Sequence, residues 1–231
     1  MIGFYDYTVI LTYLSLVSAS CGILVALSGG GHPYIGTFFL LFCGLCDAFD
    51  GKVARTKKDR SQAECSFGVQ IDSLSDLVAF GVLPAAIGSA MLRRSALLHR
   101  VCGTLLERPL ELGWMAVLIL YILAAMIRLA WYNVTEEERQ KAESGVRKYY
   151  AGLPVTSSAL IFPFILLLQY VIPADLTPLY FAAEIFCVIA FLSPVQVRKP
   201  GLRGVLILVG IGAVEFLLLL VLLLVRKFLI H

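Results

Sequence analysis

The residues of this sequence that could do chemistry are four aspartates set between two strongly apolar stretches: Asp47, Asp50, Asp72 and Asp76. Carboxylate oxygens are the ligands that hard divalent cations such as Mg²⁺ prefer, and Mn²⁺ is a close substitute. Three or four carboxylates can hold two such ions about 3.5–4 Å apart, a geometry that clamps phosphoryl oxygens during group transfer. The aspartates are therefore predicted to form a divalent-cation site suited to a phosphate-containing ligand.

The spacing of these residues assigns them to faces of two helices. Positions three and four apart lie on the same side of a helix. Asp47 and Asp50 therefore share one side of an earlier apolar helix, while Gly68, Asp72 and Asp76 share one side of the next. We expect the two helices to be antiparallel neighbours whose acidic faces turn toward each other.

A membrane-embedded cluster of carboxylates needs compensation. Even one charged aspartate in the middle of a bilayer costs about 2.5–3.5 kcal/mol on insertion scales. The alternative is a solvated loop plus an incidental buried pair, and Asp59 and Glu64 fit it because they lie among basic residues. Asp47, Asp72 and Asp76 have apolar neighbours on both sides instead. Their placement favours a functional site.

Small residues and one arginine accompany the acids. Gly51, Ala54 and Gly68 remove side-chain bulk where a large ligand could approach the backbone. Arg55 could bind a phosphate through its forked donors. The alternative for the glycines is close helix packing, which small residues at four-residue spacing commonly provide. For Gly68 alone the two explanations are equal, but beside four acids and an arginine the binding site is favoured.

The elements that must position these residues are membrane helices. The chain has 231 residues, a hydrophobic share of 59% and a mean hydropathy of +0.87, which is too apolar for an ordinary soluble domain. The apolar runs lack a two-residue alternation and so favour helices over a barrel. Seven spans are predicted, a count that the prolines of the last three could change by one: 8–28, 33–55, 66–92, 113–135, 152–172, 176–196 and 203–226.

Charge placement predicts which side of the membrane the site faces. With the N-terminus in the cytoplasm, loops on that side carry twelve basic residues against six on the other, so the 52–65 loop is predicted to be cytoplasmic. The basic 93–111 segment then lies outside, as an interfacial amphipathic helix or as a sign that the topology differs there. Asp6 and the missing basic N-terminal region argue against a cleaved signal peptide. A net charge of +3 without a basic block gives no indication of nucleic-acid binding.

These residues form a pattern that extends over both helices. It reads Asp47-x-x-Asp50-Gly51-x-x-Ala54-Arg55, then Gly68-x-x-x-Asp72-x-x-x-Asp76. The pattern resembles the signature of the CDP-alcohol phosphotransferases. Twelve residues separate Arg55 from Gly68, four more than the family's commonest spacing. Four residues are about one helical turn, so they could lengthen the ends of the helices without rotating their faces.

The resemblance implies an all-α membrane protein with a six-helix core, usually a homodimer, and CMP as the leaving group. The metal ligands would be Asp47, Asp50, Asp72 and, in addition to its role as the base that deprotonates the acceptor hydroxyl, Asp76. The residues along the CDP moiety would be Gly51, Ala54, Arg55 and Gly68. The family domain is predicted to occupy residues 1–200, with an additional transmembrane helix in 201–231.

Three segments favour one branch of the family. The segments are "FGVQIDSLSDLVAFGVLPA" at 67–85, "RLAWYN" at 128–133 and "YYAGLPV" at 149–155. They are similar to the phosphatidylserine synthase branch, although Trp131 replaces that branch's second arginine. The resemblance implies transfer of a phosphatidyl group from CDP-diacylglycerol to L-serine, among membrane lipids.

Two residues of these segments are candidates for binding the acceptor. Arg128 could hold the serine carboxylate bidentately; its alternatives are an ion pair with one of the aspartates or extension to the membrane surface. Asn133 is expected either to orient the amino group or to end its helix.

Other functions remain open at this point. The same chemistry could use glycerol 3-phosphate, inositol or inositol phosphate, and Arg147 and Lys148 could supply cations for a phosphorylated acceptor. A divalent-cation transporter could also use intramembrane aspartates. It would tend to place them near the midplane at a repeat interface, whereas these lie at one end of their helices beside an arginine.

Overall fold

The computed structural model describes residues 3–142, 149–172, 174–198 and 201–230. Nine α-helices are found in these ranges: α1 Ile10–Leu27, α2 Pro33–Ala54, α3 Gln62–Asp76, α4 Leu83–Arg93, α5 Ala96–Val101, α6 Glu107–Ala142, α7 Ser158–Val171, α8 Thr177–Leu192 and α9 Leu202–Ile230. A π-helical turn, Leu77–Val82, joins α3 to α4 without a break. Short 3₁₀ turns at Tyr7–Val9 and Val155–Ser157 lead into α1 and α7.

Seven helical segments account for the predicted spans. Five are long and apolar enough to cross a membrane: Tyr7–Leu27, Pro33–Ala54, Gln62–Arg93, Glu107–Lys141 and Arg203–Val225. Two shorter apolar helices, Val155–Val171 and Thr177–Leu192, occupy the remaining predicted positions. The predicted all-α, multi-pass integral membrane fold is confirmed. The helix of the fourth predicted span, α6, continues past the expected end at 135. The helix of the third predicted span begins with α3 at Gln62, before the expected start at 66.

Helix α1 holds α2 and α3 in place through small and polar residues. Ser18 Oγ donates to the Phe39 carbonyl of α2 at 3.2 Å, and Ser75 Oγ of α3 donates to the Thr12 carbonyl at 3.1 Å. A Cβ on Gly22 would lie 2.7 Å from Phe39 Cβ, so α1 and α2 approach too closely for a larger residue. Small residues on α1 thus serve the close helix packing that is common in membranes.

Helices α2 and α3 are both held by α1. In the described part of the chain, the backbone of α3 lies closest to α1, the π-helical turn and α6, and α2 makes its most extensive contacts with α1. The acidic side chains of α2 and α3 interact electrostatically with each other. The antiparallel packing of α2 against α3 stays a prediction.

The π-helical turn has a local cause in Pro84. Proline has no N–H, so the Phe80 carbonyl cannot accept the usual hydrogen bond from the residue four positions later. The N–H of Leu83 donates to the Val78 carbonyl, five positions earlier, which is the π-helical pattern. The backbone between Asp76 and Pro84 is thus wound differently from the helices on either side.

A short pair of strands, which the sequence did not predict, joins the segment before α7 to the segment after α8. Strand β1, Tyr149–Ala151, pairs antiparallel with β2, Gln196–Arg198. Gly152 follows β1 with a φ of +77°, and its N–H donates to the Val195 carbonyl at 2.7 Å. A Cβ at this position would lie 2.7 Å from the Phe191 carbonyl oxygen, so glycine is required by both conformation and space.

The 93–111 segment contains only one turn and a half of helix, α5, before α6 begins at Glu107. Ser95 Oγ donates to the Asp175 carboxylate at 2.6 Å, which ties the start of α5 to the connection before α8. Leu105 is 97% exposed at the end of the segment. The structure describes every residue of 93–111, and the helix between α4 and α6 is the short α5. An interfacial position of this segment stays a prediction.

Helix α9 packs on the outside of the bundle. It contacts α2 and α7, where Leu219 is buried together with Leu41 and Leu167. Phe216 meets Phe38 edge to face with ring centroids 5.0 Å apart. The site described below lies on α2 and α3, so α9 supports it only through the far side of α2.

Candidate active site

Two carboxylates come from each of two helices. Asp47 and Asp50 are on the last two turns of α2, where Asp50 is buried and accepts a hydrogen bond from the Gly51 N–H. Asp72 and Asp76 are on the last two turns of α3, and Asp76 is buried. Asp47 and Asp72 are half-buried. The exposed fraction thus decreases from the rim of the cluster toward Asp50 and Asp76.

The four side chains lie close enough to interact electrostatically. Asp50 interacts most directly with Asp72, and Asp47 and Asp76 interact with both. Carboxylates at such separations repel each other unless a proton or a cation lies between them. The cluster therefore needs positive charge for all four groups to be ionised.

The carboxylates of the cluster determine which metal ion it could hold. In the ranges that the structure describes, no three His, Cys, Asp or Glu side chains are grouped closely enough to form a complete cation cage. The Asp50–Asp72 contact nevertheless supplies oxygen ligands from both helices at one point, with two more carboxylates around it. Oxygen-only donors are the set that Mg²⁺ and Mn²⁺ prefer. The donor chemistry suits a hard cation, but the described residues include no group of three side chains placed to hold one, so the metal site stays a prediction.

Each glycine of the motif is covered by an arginine. The nearest neighbours of a Cβ on Gly51 would be the guanidinium atoms of Arg55, at 3.6–3.9 Å. On the other helix, a Cβ on Gly68 would lie 2.7 Å from Nη2 of Arg60. Ala54 is the last residue of α2 and is half-buried. The predicted CDP-binding residues thus border the cluster on both helices, and Arg60 is an addition to them.

The connection between the helices is held by ion pairs. Lys57 Nζ contacts the carboxylates of Asp6 at 2.6 Å and Glu64 at 2.7 Å. The hydrogen bond from Lys57, with those from Thr8, lowers the pKa of Asp6 to about 2, so this pair is ionised throughout the neutral range.

The position expected for Glu64 was wrong. It lies in the first turn of α3 rather than on the loop, because Ser61 and Glu64 form a reciprocal capping box.

The two acceptor candidates make different contacts. Asn133 Nδ2 donates to Ser73 Oγ at 2.7 Å, next to Asp72 in the chain. Arg128 is buried, and its Nε donates to the Leu153 carbonyl at 3.3 Å. The second and third resembling segments therefore meet at Arg128. Asn133 lies within α6 and does not end it, which removes that alternative.

Three further residues considered in the sequence are Trp131, Arg147 and Lys148. Trp131, where the resembling branch has an arginine, is 59% exposed. Arg147 and Lys148, considered for a phosphorylated acceptor, are outside the described residues.

Two features of the site were not predicted from the sequence: Arg60, which counted only as a loop charge, and the π-helical turn after Asp76. The Ser-x-x-Glu of the capping box and Pro84 were the signals that could have indicated them.

A model of a known protein family covers most of the chain. The family model described as CDP-alcohol phosphatidyltransferase matches residues 8–196. The chain belongs to this family.

Several curated relatives are similar to the chain. The CDP-diacylglycerol–serine O-phosphatidyltransferase of Saccharomyces cerevisiae is 33% identical over 152 residues, covering 64% of this chain and 47% of the relative. The enzyme of the same name from Mycobacterium leprae is 30% identical over 151 residues, covering 65% and 43%. An archaetidylserine synthase from Methanothermobacter thermautotrophicus is 29% identical over 150 residues, covering 64% and 53%. The match thus spans about half the length of these relatives. No solved structure matches the chain significantly.

The π-helical turn gives a testable link between packing and the site. Tyr121 Oη donates to the Phe80 carbonyl at 2.7 Å, which is the carbonyl that Pro84 leaves without its helical partner. Tyr180 Oη makes a matched bond to the Pro84 carbonyl at 2.8 Å, one turn further from Asp76. Both tyrosines are fully buried. Tyr121 is therefore expected to fix the backbone that follows Asp76, and Tyr180 is its control.

We expect Tyr121→Phe and Tyr180→Phe to lose similar stability, about 0.5–1.5 kcal/mol, because each removes one buried hydrogen bond to a backbone carbonyl. The Phe80 carbonyl keeps the longer bond from Ser158 Oγ, at 3.4 Å. Only Tyr121→Phe should also lower the rate of the transfer reaction proposed below, several-fold. Thermal unfolding in detergent and a turnover assay measure the two effects. Equal turnover in both variants would show that the turn does not position Asp76.

Proposed function

We propose that this protein transfers the phosphatidyl group of CDP-diacylglycerol to the hydroxyl of L-serine, giving phosphatidylserine and CMP. The observation that carries the proposal is the convergence of Asp47, Asp50, Asp72 and Asp76 from two helices that bear the family's pattern. The names of the yeast and mycobacterial relatives support serine as the acceptor.

Asp47, Asp50 and Asp72 would hold Mg²⁺ or Mn²⁺, with Asp76 in reach of the same ions and two ions in the full site. When bound, the metal neutralises the diphosphate and the charge that develops on departing CMP. On the protein side, Arg55 donates hydrogen bonds to a phosphate at the rim, where the absence of a side chain on Gly51 leaves room beside its guanidinium. Ala54 and Gly68 keep the remaining CDP-facing surface flat.

Asp76 acts as the general base. Its carboxylate accepts the proton of the serine hydroxyl as that oxygen attacks the phosphorus that carries diacylglycerol. The bond between this phosphorus and the bridging oxygen breaks, and the electron pair leaves with CMP. Asp76 is only 8% exposed, and α1 and the π-helical turn fix the backbone around it, so its side chain is positioned before substrate arrives.

Arg128 would bind the serine carboxylate, and Asn133 would orient the serine amino group. Both side chains are on the part of α6 that faces the site elements: Arg128 is anchored at Leu153 and Asn133 at Ser73. The forked donors of a guanidinium match the two oxygens of a carboxylate, which supports this role for Arg128.

We further propose that the site faces the cytoplasm, on the side where basic residues predominate, and that the protein is a homodimer. Residues 1–200 would form the catalytic membrane domain. Residues 201–231 would add a transmembrane helix beyond the family match, which ends at 196. Lys57 and Arg60, near the mouth of the cluster, are on the loop that sets the predicted orientation.

The reaction can be tested by CMP release from CDP-diacylglycerol in detergent. We expect CMP only when L-serine is present together with Mg²⁺ or Mn²⁺, and none after chelation, because the carboxylate cluster then lacks its compensating charge. Glycerol 3-phosphate and inositol serve as competing acceptors. Release driven equally by glycerol 3-phosphate would contradict the proposed acceptor, and absence of CMP with cation uptake into liposomes would favour a transporter.

Steady-state kinetics in serine can separate the two proposed residue roles. Asp76→Asn should abolish turnover while CDP-diacylglycerol still binds, since the amide cannot accept the hydroxyl proton. Arg128→Ala should chiefly raise the KM for serine, by about tenfold or more, because a charged hydrogen-bonding partner is lost. Asp59→Asn on the exposed loop is the control and should behave as wild type. Full activity in Asp76→Asn or an unchanged KM in Arg128→Ala would remove the corresponding role.

A further inference from the structure

Arg60 lies over the start of α3 in a way that its loop position alone does not explain. Its Nη2 donates to the Glu64 carbonyl at 3.2 Å. The same nitrogen is 2.7 Å from the place that a Cβ on Gly68 would occupy, so the guanidinium lies directly against the helix backbone. The missing side chain at Gly68 is what permits this contact.

This placement aligns Arg60 with the acidic face of α3. Gly68, Asp72 and Asp76 follow one another at intervals of four residues along one side of the helix. Four residues advance a helix by about 6 Å, so the guanidinium is about one turn from the Asp72 level. Arg55 covers Gly51 in the corresponding place on α2. Two guanidinium groups, one on each helix, therefore border the aspartate cluster.

Arg60 has no ion-pair partner among the residues that the structure describes. Glu64, the nearest carboxylate along the chain, pairs with Lys57 at 2.7 Å and also accepts from the Ser61 N–H. Among the residues that the structure describes, Arg60 forms no ion pair, and its Nε is buried without a hydrogen-bond partner. A buried guanidinium donor without an acceptor is costly, so this geometry favours an anionic ligand.

The loop that carries Arg60 is also held in place. Lys57 joins Asp6, before α1, to Glu64, in the first turn of α3. The capping box at Ser61 fixes the residue that follows Arg60. A side chain attached to such a constrained backbone loses less conformational freedom when it binds a ligand. Arg60 is thus presented to the site by a fixed connection.

We propose that Arg60 is a second phosphate-binding arginine of this site and donates to the diphosphate of the nucleotide-linked substrate. This inference rests on the proposed function, because that function supplies the diphosphate. The guanidinium has further N–H donors on its terminal nitrogens besides the one that Nη2 gives to the Glu64 carbonyl, and such charged donors match phosphate oxygens. The residue lies in the part of the chain that is four residues longer than the family's commonest spacing, so the longer connection brings its own cation to the substrate.

Binding of CDP and of cytidine to the purified protein in detergent with Mn²⁺ tests the role of Arg60. CDP carries the diphosphate and cytidine lacks it. Arg60→Ala should weaken CDP binding by about tenfold or more and leave cytidine binding unchanged, because only charged hydrogen bonds to phosphate are lost. Arg60→Lys should fall between wild type and alanine, since it keeps the charge without the fork. Lys58→Ala, an exposed cation on the same loop, is the matched control and should bind both probes as wild type.

Unchanged or tighter CDP binding in Arg60→Ala would overturn the inference, and tighter binding would show that Arg60 merely occupies the ligand's place over Gly68. An equal loss for CDP and cytidine would also overturn it, because the effect would then not depend on phosphate. These results leave the proposed reaction intact as long as wild type releases CMP with serine. Failure of wild type to bind CDP and to release CMP would overturn the reaction and the inference together.

Discussion

The contact between the carboxyl groups of Asp50 and Asp72 constrains the surrounding helices. Two such groups cannot both be ionised at this separation without a positive charge between them, and Asp47 and Asp76 add to the repulsion. Folding therefore has to hold α2 and α3 against the mutual repulsion of their acidic faces. Both helices are bound to α1 by side chain to backbone hydrogen bonds, which help to hold them in place.

The other features around the cluster follow from the same constraint. Arg55 and Arg60 lie beside it without neutralising the acids directly, which leaves the carboxylates available to a cation and the guanidinium groups available to an anion. On the opposite side, Asp76 leads into a π-helical turn whose orphaned Phe80 carbonyl is bonded from α6 by Tyr121. The cluster thus has guanidinium groups on the side of the connection between α2 and α3 and the π-helical turn on the other. This separation suits the proposed function, in which a lipid substrate brings its diphosphate to one end of the helices.

The sequence predicted the parts of this arrangement that depend on local periodicity. Intervals of three and four residues placed the aspartates on common faces, and long apolar runs indicated the five described helices that are long and apolar enough to cross a membrane. Periodicity specifies which face of a helix is special, but not which other helices pack beside it, so the contacts of α1 with both α2 and α3 were not predicted. The strand pair of Tyr149–Ala151 with Gln196–Arg198 depends on contacts between distant parts of the chain and gave no local signal.

Two further misses have more specific causes. The start of α3 was placed too late because charged residues were taken as loop, although Ser61 and Glu64 carry the pattern of a capping box. The π-helical turn involves both Pro84 and the hydroxyls of Tyr121 and Ser158 that donate to the freed Phe80 carbonyl, and only the proline is visible in the local sequence. Arg60 was missed for a related reason, since its role depends on where the lengthened connection lies.

The central claim is that carboxylates from α2 and α3 act together as one cation site. Binding of Mn²⁺ to the purified protein, followed by electron paramagnetic resonance, tests this most directly. We expect Asp50→Asn and Asp72→Asn each to weaken Mn²⁺ binding by about tenfold or more, while Asp59→Asn binds as wild type. Equal Mn²⁺ affinity in wild type and in all three variants would contradict the claim.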